Sequence, residues 1–277
     1  LKSSILSPSF MKGIILAGGE GTRLYPLTKV TSKQLLPVYD QPMIMYPLNT
    51  LLKAGIRDIL FIVAPEHSGD FLNFLGSGKE FGARFAYEVQ DKPEGLAQAY
   101  LIGADFIGDD SVTMILGDNI FTDDFSQAIQ SFKRGGKIFA KEVPDAKRFG
   151  VIEFGPKGDV LSIEEKPAQP KSHYAQVGFY VYDNRVVQYA KELKPSVRGE
   201  LEIVDIAKRY LQQGELEAEI LKGEWIDAGT VESLYQASTI VREHKLGIKK
   251  EPGLRVTLRK CDQLRSSTTS SSGKVAR

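Results

Sequence analysis

The chain has very few of the side chains that form disulfides or bind zinc. Its 277 residues include one cysteine, Cys261, and three histidines. A single cysteine excludes an intramolecular disulfide framework and fits a reducing compartment such as the cytoplasm. With so few thiol and imidazole groups, a structural zinc site is not expected either. The composition therefore excludes the disulfide-stapled and zinc-stabilised classes of protein.

Excess charge and long apolar runs are also lacking. The 36 Lys and Arg residues nearly balance the 35 Asp and Glu residues, and the formal net charge is +1. Such a balance gives no reason to expect nucleic acid or an anionic membrane as a partner. No apolar run approaches the roughly 18 residues needed to span a bilayer. What remains is an ordinary globular composition that is large enough for one sizeable core.

Apolar runs alternate with helical segments over the first half of the chain. Buried strands are predicted at Ile14–Leu16, Asp58–Val63, Phe85–Val89 and Val112–Leu116, and a helix is predicted at Leu96–Ala104. Strands that alternate with helices indicate the α/β class, with a Rossmann-like, doubly wound and mostly parallel sheet. In such a sheet, ligands bind at the carboxyl ends of the strands.

The pattern changes after Lys137. Val151–Phe154 and Val160–Glu164 flank the turn sequence Gly155-Pro156-Lys157-Gly158, which predicts a β-hairpin. A further strand is predicted at Gln176–Tyr182. No internal repeat and no linker divides this part from the first half, so one domain is expected.

The two ends of the chain are expected to lie outside that domain, which spans residues 11–245. Residues 1–10 hold one lysine and no apolar core of about seven residues, so we expect an extension and not a signal peptide. Residues 246–277 form an unassigned tail. Its last part, 265–277, is rich in serine and threonine and is predicted to be disordered.

A glycine-rich loop follows the first predicted strand. It reads Gly18-Gly19-Glu20-Gly21-Thr22-Arg23, and Lys33 comes ten residues after Arg23. Glycines expose backbone N–H groups to a phosphate chain, and the two cations add positive charge. The loop is neither a P-loop, because no Gly-Lys-Ser/Thr follows, nor a dinucleotide turn, because Leu24 occupies the third glycine position. An ordinary strand-to-helix turn with a solvated arginine is the alternative.

Several motifs together resemble the sugar-1-phosphate nucleotidylyltransferases. They are LAGGEGTRLYPLT, the segment KQLLPV that starts at Lys33, and PMIMYPL, and they occur in the expected order between Met11 and about Lys245. The resemblance implies a nucleotide-diphospho-sugar transferase fold, in which a smaller mixed β region closes the sugar site. It also implies a homo-oligomer, either a dimer or a tetramer.

The reaction implied by this resemblance transfers a thymidylyl group from dTTP to α-D-glucose 1-phosphate, which yields dTDP-glucose and pyrophosphate. Such chemistry requires cations and a divalent metal, here Mg²⁺, and no protein nucleophile. Two alternatives stay open. One is the same reaction with UTP or another sugar 1-phosphate, and the other is a non-catalytic regulatory homologue that binds nucleotide sugars.

The resemblance also implies a set of site residues. Those with catalytic roles are Arg23, Lys33 and Lys166. The nucleotide-binding set comprises Leu16, Gly18, Gly19, Gly21, Thr22, Arg23, Gln90, Pro93 and Gly95. The sugar-phosphate-binding set comprises Asp118, Phe149, Gly150, Glu165, Lys166 and Gln176. The metal-binding pair is Asp118 and Asp227.

The chemistry of these residue types agrees with such roles, but simpler interpretations exist. The amide of Gln90 can pair with the imide edge of thymine or uracil. Carboxylates such as Asp118 and Asp227 suit Mg²⁺. Each aspartate could instead cap a following helix. The pair Glu165-Lys166 could likewise be a solvated charge run.

Two positions depart from the commonest pattern of the family. Phe149 replaces a frequent tyrosine, and Gln176-Val177 stands where Val-Thr is usual. The segment Arg198-Gly199-Glu200-Leu201-Glu202, by contrast, resembles the family segment that supports the site.

Overall fold

The computed structural model of the protein describes residues 11–246. The expectations for residues 1–10 and for the tail from 247 to 277, including disorder at 265–277, fall on residues outside this range. Within it, no helix is long and apolar enough to cross a membrane.

Thirteen strands are found in the described residues, and nine of them form one mixed sheet. The order along this sheet is β10-β9-β11-β6-β1-β4-β5, and β8 pairs with both β11 and β12. The strands are β1 (Met11–Ala17), β2 (Pro37–Val38), β3 (Gln41–Pro42), β4 (Asp58–Val63), β5 (Arg84–Val89), β6 (Ser111–Leu116), β7 (Asn119–Phe121), β8 (Gly136–Glu142), β9 (Gly150–Phe154), β10 (Val160–Glu165), β11 (Tyr174–Tyr182), β12 (Leu216–Ile220) and β13 (Trp225–Asp227).

Eight α-helices occur in the same range, and they pack mainly on the two faces of the sheet. They are α1 (Met45–Lys53), α2 (Ser68–Leu75), α3 (Gln98–Ile102), α4 (Ala104–Ile107), α5 (Ser126–Ser131), α6 (Arg185–Glu192), α7 (Ile203–Gln212) and α8 (Val231–His244).

The sheet has a parallel part and a mixed part, in which most strand pairs are antiparallel but β12 pairs with β8 in parallel. Strands β6, β1, β4 and β5 are parallel, as the alternation of apolar runs and helices predicted. Strand β11 runs antiparallel to β6 and begins the mixed part, in which β9 and β10 form the predicted hairpin. The fold is therefore the predicted α/β arrangement with a smaller mixed β region.

Alternate residues of the central strands pack into two separate cores. Ile15 and Phe61 belong to one buried cluster, and Ile14 and Leu60 belong to the other. Successive side chains of a strand point to opposite faces, so these strands must be apolar throughout when helices cover both faces. This requirement explains the continuous apolar runs in the sequence.

One predicted helix is interrupted. The segment Leu96–Ala104 does not form a single helix, because α3 ends at Ile102 and α4 begins at Ala104. Gly103 lies between them and faces the sheet so closely that a Cβ atom there would be 3.0 Å from Ile14 Cδ1. Close packing at the glycine accompanies the break, and tertiary contact overrides the local helical pattern.

Candidate active site

The glycine-rich loop leaves β1 at the carboxyl edge of the parallel sheet. Gly21 adopts a left-handed backbone conformation with φ of 66°, and its carbonyl accepts a hydrogen bond from Thr28 Oγ1 at 3.0 Å. A single 3₁₀ turn at Thr22–Leu24 follows, and not the α-helix of an ordinary strand-to-helix turn. Gly18 lies against Gln90, because a Cβ atom on Gly18 would overlap with the amide oxygen of Gln90.

Lys33 and Asp118 form an ion pair at the end of β6. Lys33 Nζ lies 2.5 Å from Asp118 Oδ2, and the two side chains are only 13% and 10% exposed. Burial acts to raise the pKa of Asp118, but the charge and hydrogen bond of Lys33 outweigh burial, so this pKa lies below its ordinary value. Burial would lower the pKa of Lys33, yet Asp118 raises it overall. Both groups are therefore charged near neutral pH.

Asp227 is the second acidic group at this position. Burial, followed by the charge of Asp118, raises the pKa of Asp227 to about 6. The two aspartates come together because β7 and β13 pair in a two-stranded ribbon, with Asp227 opposite Asn119. In addition, Ala228 N donates to the backbone carbonyl of Asp118 at 2.9 Å. The proximity that only the family resemblance implied thus has a structural cause.

Neither aspartate caps a helix. Asp118 is followed by the strand β7. Helix α8 is capped by Thr230 and Ser233, which form a reciprocal capping box, while Asp227 Oδ1 accepts from Gly229 N at 2.9 Å in a turn. The capping alternative for both acids is therefore excluded.

Two adjoining cavities open beside the ion pair. The smaller cavity has a volume of about 310 Å³, and the larger cavity has a volume of about 530 Å³. Five residues line both of them: Lys33, Leu96, Leu116, Asp118 and Glu200. The ion pair therefore stands where the two cavities meet.

The smaller cavity collects part of the predicted nucleotide-binding set. Its wall includes the predicted residues Leu16, Gly19, Gln90, Pro93 and Gly95. The remaining members of that set, apart from Arg23, do not line either cavity; they are Gly18, Gly21 and Thr22.

Hydrogen bonds within the chain hold the residues of the smaller cavity. Gln90 is 4% exposed, and its Nε2 donates to Gln98 Oε1 at 2.6 Å. Gln98 in turn donates to Glu94 Oε2 at 2.8 Å. Gly95 has φ of 108°, and a Cβ atom there would lie 2.5 Å from the backbone N and O of Leu201. The glycine at position 95 is thus required by the packing of Leu201.

The larger cavity brings together the complete predicted sugar-phosphate set with Arg23 and Asp227. Although Arg23 was predicted to bind nucleotide, it lines this cavity and not the smaller one, and its guanidinium lies beside Gly229. The lining residues are Arg23, Lys33, Leu96, Leu116, Asp118, Asn119, Arg148, Phe149, Gly150, Glu165, Lys166, Gln176, Gly178, Tyr180, Arg198, Glu200, Glu202, Ile203, Trp225 and Asp227.

Glu165 and Lys166 both line the larger cavity. Burial and the charge of Glu202 raise the pKa of Glu165. Arg198 Nη2 lies 3.2 Å from Glu165 Oε1 and 2.7 Å from Glu202 Oε2. Lys166 has a left-handed backbone, with φ of 42°, and its side chain remains 44% exposed within reach of the cavity.

Sequence reasoning missed several residues of the larger cavity. Arg198 was predicted only to support the site, yet it lines the cavity as a further cation near Glu165 and Lys166. Trp225 lies edge-on to Phe149 at 5.2 Å between ring centroids, and its Nε1 donates to Asn119 Oδ1 at 2.7 Å. The only local signal for Trp225 was its position two residues before the predicted metal ligand Asp227.

The acidic pair fits a divalent cation that also binds phosphate. Across residues 11–246, no three side chains of the His, Cys, Asp or Glu type are grouped to hold a metal on their own. Asp118 and Asp227 supply hard oxygen ligands, and Mg²⁺ commonly takes one or two carboxylates together with phosphate oxygens and water. After burial, the negative charge of Asp118 is the main cause of the raised pKa of Asp227, and a bound cation would compensate the charges of both carboxylates.

Comparison with known proteins agrees with this geometry. The family described as nucleotidyl transferase matches residues 12–244. The chain is 55% identical over 238 residues to the glucose-1-phosphate thymidylyltransferase of Neisseria gonorrhoeae. This alignment covers 84% of this chain and 83% of that protein. The chain is 52% identical over 246 residues to the enzyme of the same name from Mycobacterium tuberculosis H37Rv, which covers 86% and 85%, respectively.

Solved structures lead to the same family. One crystal structure is described as a glucose-1-phosphate thymidylyltransferase from Bacillus anthracis in complex with sucrose. It matches this chain with a TM-score of 0.82 and 50% sequence identity, and the match covers 87% of this chain and 98% of that chain. A UDP-glucose pyrophosphorylase complexed with UDP-glucose has a TM-score of 0.74 and 25% identity, covering 84% and 99%. The chain therefore belongs to the nucleotidyl transferase family, and within it to the group of the glucose-1-phosphate thymidylyltransferases.

Proposed function

We propose that this protein transfers a thymidylyl group from dTTP to α-D-glucose 1-phosphate and releases pyrophosphate. The observation that carries this proposal is the pair of adjoining cavities that meet at Lys33 and Asp118, with Asp227 beside them. The identity of about half with curated thymidylyltransferases supports the choice of substrates.

The reaction is a displacement at the α-phosphorus of dTTP. An oxygen of the sugar phosphate attacks this phosphorus and forms a new P–O bond, while the bond to the bridging oxygen of the β-phosphate breaks and pyrophosphate departs. Both reactants are polyanions, so the protein must hold them in line and neutralise their repulsion. The cationic lining near the meeting of the cavities suits this task.

Each cation has a distinct role in this proposal. Arg23 binds the β- and γ-phosphates and stabilises the departing pyrophosphate. Lys33 shares that role at the junction, where its pairing with Asp118 keeps it protonated. Lys166 binds the phosphate of the incoming sugar, and Glu165 accepts hydrogen bonds from sugar hydroxyls. Gln90 pairs with the base in the smaller cavity.

Asp118 and Asp227 would hold Mg²⁺. Enzymes of this family generally use a divalent metal, and the two buried carboxylates provide the oxygen ligands that magnesium prefers. When bound, the cation neutralises charge on the triphosphate. Lys33 then orients Asp118 through their hydrogen bond, and Gly229 N orients Asp227.

A pyrophosphate-release screen tests the proposal. The wild-type protein is assayed with dTTP, UTP, CTP, ATP and GTP against glucose 1-phosphate in the presence of Mg²⁺. We expect the highest kcat/KM with dTTP. A clear preference for UTP would support the alternative nucleotide, and no pyrophosphate with any pair would favour a non-catalytic homologue. The presence of Arg23, Lys33, Asp118 and Asp227 argues against the latter.

The substrates also suggest the location and the assembly. Nucleoside triphosphates and hexose phosphates are cytoplasmic metabolites, so we propose that the protein acts in the cytoplasm. The family resemblance favours a homodimer or homotetramer. Sedimentation velocity measures the assembly directly, and a monomer would contradict that expectation.

A further inference from the structure

Gln176 is a buried side chain whose amide has no hydrogen-bond partner in residues 11–246. The residue is 6% exposed, and neither its Nε2 nor its Oε1 is paired. The two other glutamines that are buried to this degree do have partners, since Gln34 Oε1 accepts from Ser32 and Gln90 donates to Gln98. An unpaired buried amide is destabilising, so its presence requires an explanation.

The alternation of β11 directs Gln176 into the larger cavity. Gln176, Gly178 and Tyr180 line this cavity, whereas Val177 and Phe179 pack into one of the two cores. This is the expected arrangement of a strand whose alternate side chains point to opposite faces.

The neighbours of the amide define its surroundings. A Cβ atom on Gly150 would lie 3.0 Å from Gln176 Oε1 and 3.4 Å from Glu165 Oε2. The amide and the Glu165 carboxylate therefore both lie next to Gly150, on the part of the wall that we assign to the sugar. Val204 Cγ2 would be nearer still, at 2.8 Å, so only a residue without a side chain fits at position 150 between these groups.

The chemistry of the amide restricts its ligand. An amide offers a donor at Nε2 and an acceptor at Oε1, and both need a partner here. A fully ionised phosphate oxygen only accepts, so phosphate would leave Oε1 unpaired, and it would also be repelled by Glu165. A sugar hydroxyl both donates and accepts, and two adjacent hydroxyls present two such groups side by side.

We propose that Gln176 is a specificity-determining residue that binds two adjacent ring hydroxyls of the hexose 1-phosphate. This inference rests on the proposed function. One hydroxyl donates to Oε1, and its neighbour accepts from Nε2. A substrate that lacks either hydroxyl leaves one half of the amide unpaired, and a site built in this way rejects such an analogue strongly.

The test compares glucose 1-phosphate with its 2-, 3-, 4- and 6-deoxy analogues, with dTTP as the second substrate. For the wild type, we expect kcat/KM to fall by roughly 10- to 100-fold at two adjacent ring positions. Gln176→Met keeps the length of the side chain but removes both polar atoms. In this variant, we expect the penalty at those two positions to shrink to about threefold, with the KM for dTTP unchanged.

Thr113→Val is the matched control. The Thr113 hydroxyl is also buried and unpaired, but the residue lines neither cavity. This variant should retain the wild-type pattern of discrimination. If Thr113→Val lost the pattern as Gln176→Met does, the effect would come from a loosened sheet and the proposal would be overturned.

The remaining outcomes separate this proposal from the proposed function. The wild type alone gives the first test. If it turns over glucose 1-phosphate but its kcat/KM falls less than about threefold for every deoxy analogue, the role of Gln176 is overturned and the proposed function stands. If Gln176→Met kept the wild-type loss of kcat/KM with the deoxy analogues, the role of Gln176 would also be overturned and the proposed function would stand. If the wild type released no pyrophosphate with any hexose 1-phosphate, both proposals would be wrong.

Discussion

The smaller and larger cavities of the active site differ in how their polar groups are satisfied. In the smaller cavity, Gln90 is held by Gln98, and the segment around Gly95 is held by the backbone of Leu201. In the larger cavity, the amide of Gln176 has no partner within the described part of the chain, and Lys166 remains half exposed. The smaller cavity is therefore preorganised, whereas the larger cavity has polar groups that a ligand must satisfy.

The origin of this difference lies in the sheet. The smaller cavity is built at the carboxyl ends of the parallel strands β1 and β6, where short loops follow directly from the strands. The larger cavity is lined by the antiparallel strands β9, β10 and β11, whose side chains project into it from the sheet face. In a site on a sheet face, the side chains of the strands contact the ligand. Small changes in sequence can therefore change which ligand the site binds.

The largest expected effect comes from a cation of the glycine-rich loop. Arg23 belongs to the glycine-rich loop but lines the larger cavity. We expect Arg23→Ala to lower kcat by about 10²–10³-fold, because the departing pyrophosphate loses a positive charge. The melting temperature should change little, since Arg23 is exposed. Lys29→Ala, at an exposed cation that follows the loop, is the control. Near-wild-type turnover in Arg23→Ala would remove Arg23 from the mechanism.

A change at Gly18 should disturb the smaller cavity alone. A Cβ atom there would overlap with the amide oxygen of Gln90, which lies at the end of a flexible side chain and can move. Gly18→Ala should therefore fold, displace Gln90 and raise the KM for dTTP by about 10-fold, with the KM for glucose 1-phosphate unchanged. Gly69→Ala, where a Cβ atom meets nothing within 4 Å, should have no effect. If the KM values for dTTP and glucose 1-phosphate rose equally, the assignment of one substrate to each cavity would be wrong.

The two aspartates should respond oppositely to neutralisation. Burial and the charge of Asp118 raise the pKa of Asp227 to about 6, so its contribution to stability is complete below the ordinary value of 3.8 and is lost as pH rises through about 6. In the metal-free protein near pH 7, Asp227→Asn should increase the free energy of unfolding by on the order of 1 kcal/mol while it abolishes activity.

Asp118→Asn should instead lower the stability near pH 7. Lys33 holds the pKa of Asp118 below its ordinary value against the effect of burial, and the substitution leaves Lys33 buried without its charged partner. Urea unfolding in a chelator, at about pH 5 and about pH 7, measures both variants. If both substitutions destabilised the protein at neutral pH, the assignment of opposite electrostatic environments would be wrong.

The smallest expected effect concerns the edge of the larger cavity. Phe149 is half-buried and lies edge-on to Trp225. Phe149→Tyr restores the residue that is frequent in the family, and its hydroxyl can reach solvent. We expect the KM for glucose 1-phosphate to change by about threefold or less, and the KM for dTTP to stay constant, in steady-state kinetics. A change above about 10-fold would show that position 149 contributes directly to sugar recognition.

Much of the fold could be predicted because its signals are local. The parallel strands β1, β4, β5 and β6 are continuous apolar runs, and the hairpin of β9 and β10 has a distinctive turn sequence. Strands β8 and β12 were not predicted; β12 lies at the edge of the sheet and is only five residues long, with two glutamates between apolar residues. Edge strands of this kind depend on pairing with a neighbour, which sequence periodicity does not record.

The active site shows most clearly which features follow from the sequence and which follow from the tertiary structure. By themselves, the residues of the sequence determined the α/β class and the glycine-rich loop with Arg23 after the first strand, because each of these depends on neighbouring residues. Only the tertiary structure decided that Asp118 meets Asp227 and that the Gln176 amide faces a cavity with no hydrogen-bond partner among residues 11–246. Both facts depend on strand pairing between segments far apart in the chain, and the free energy of such contacts comes from the assembled sheet and not from local preference.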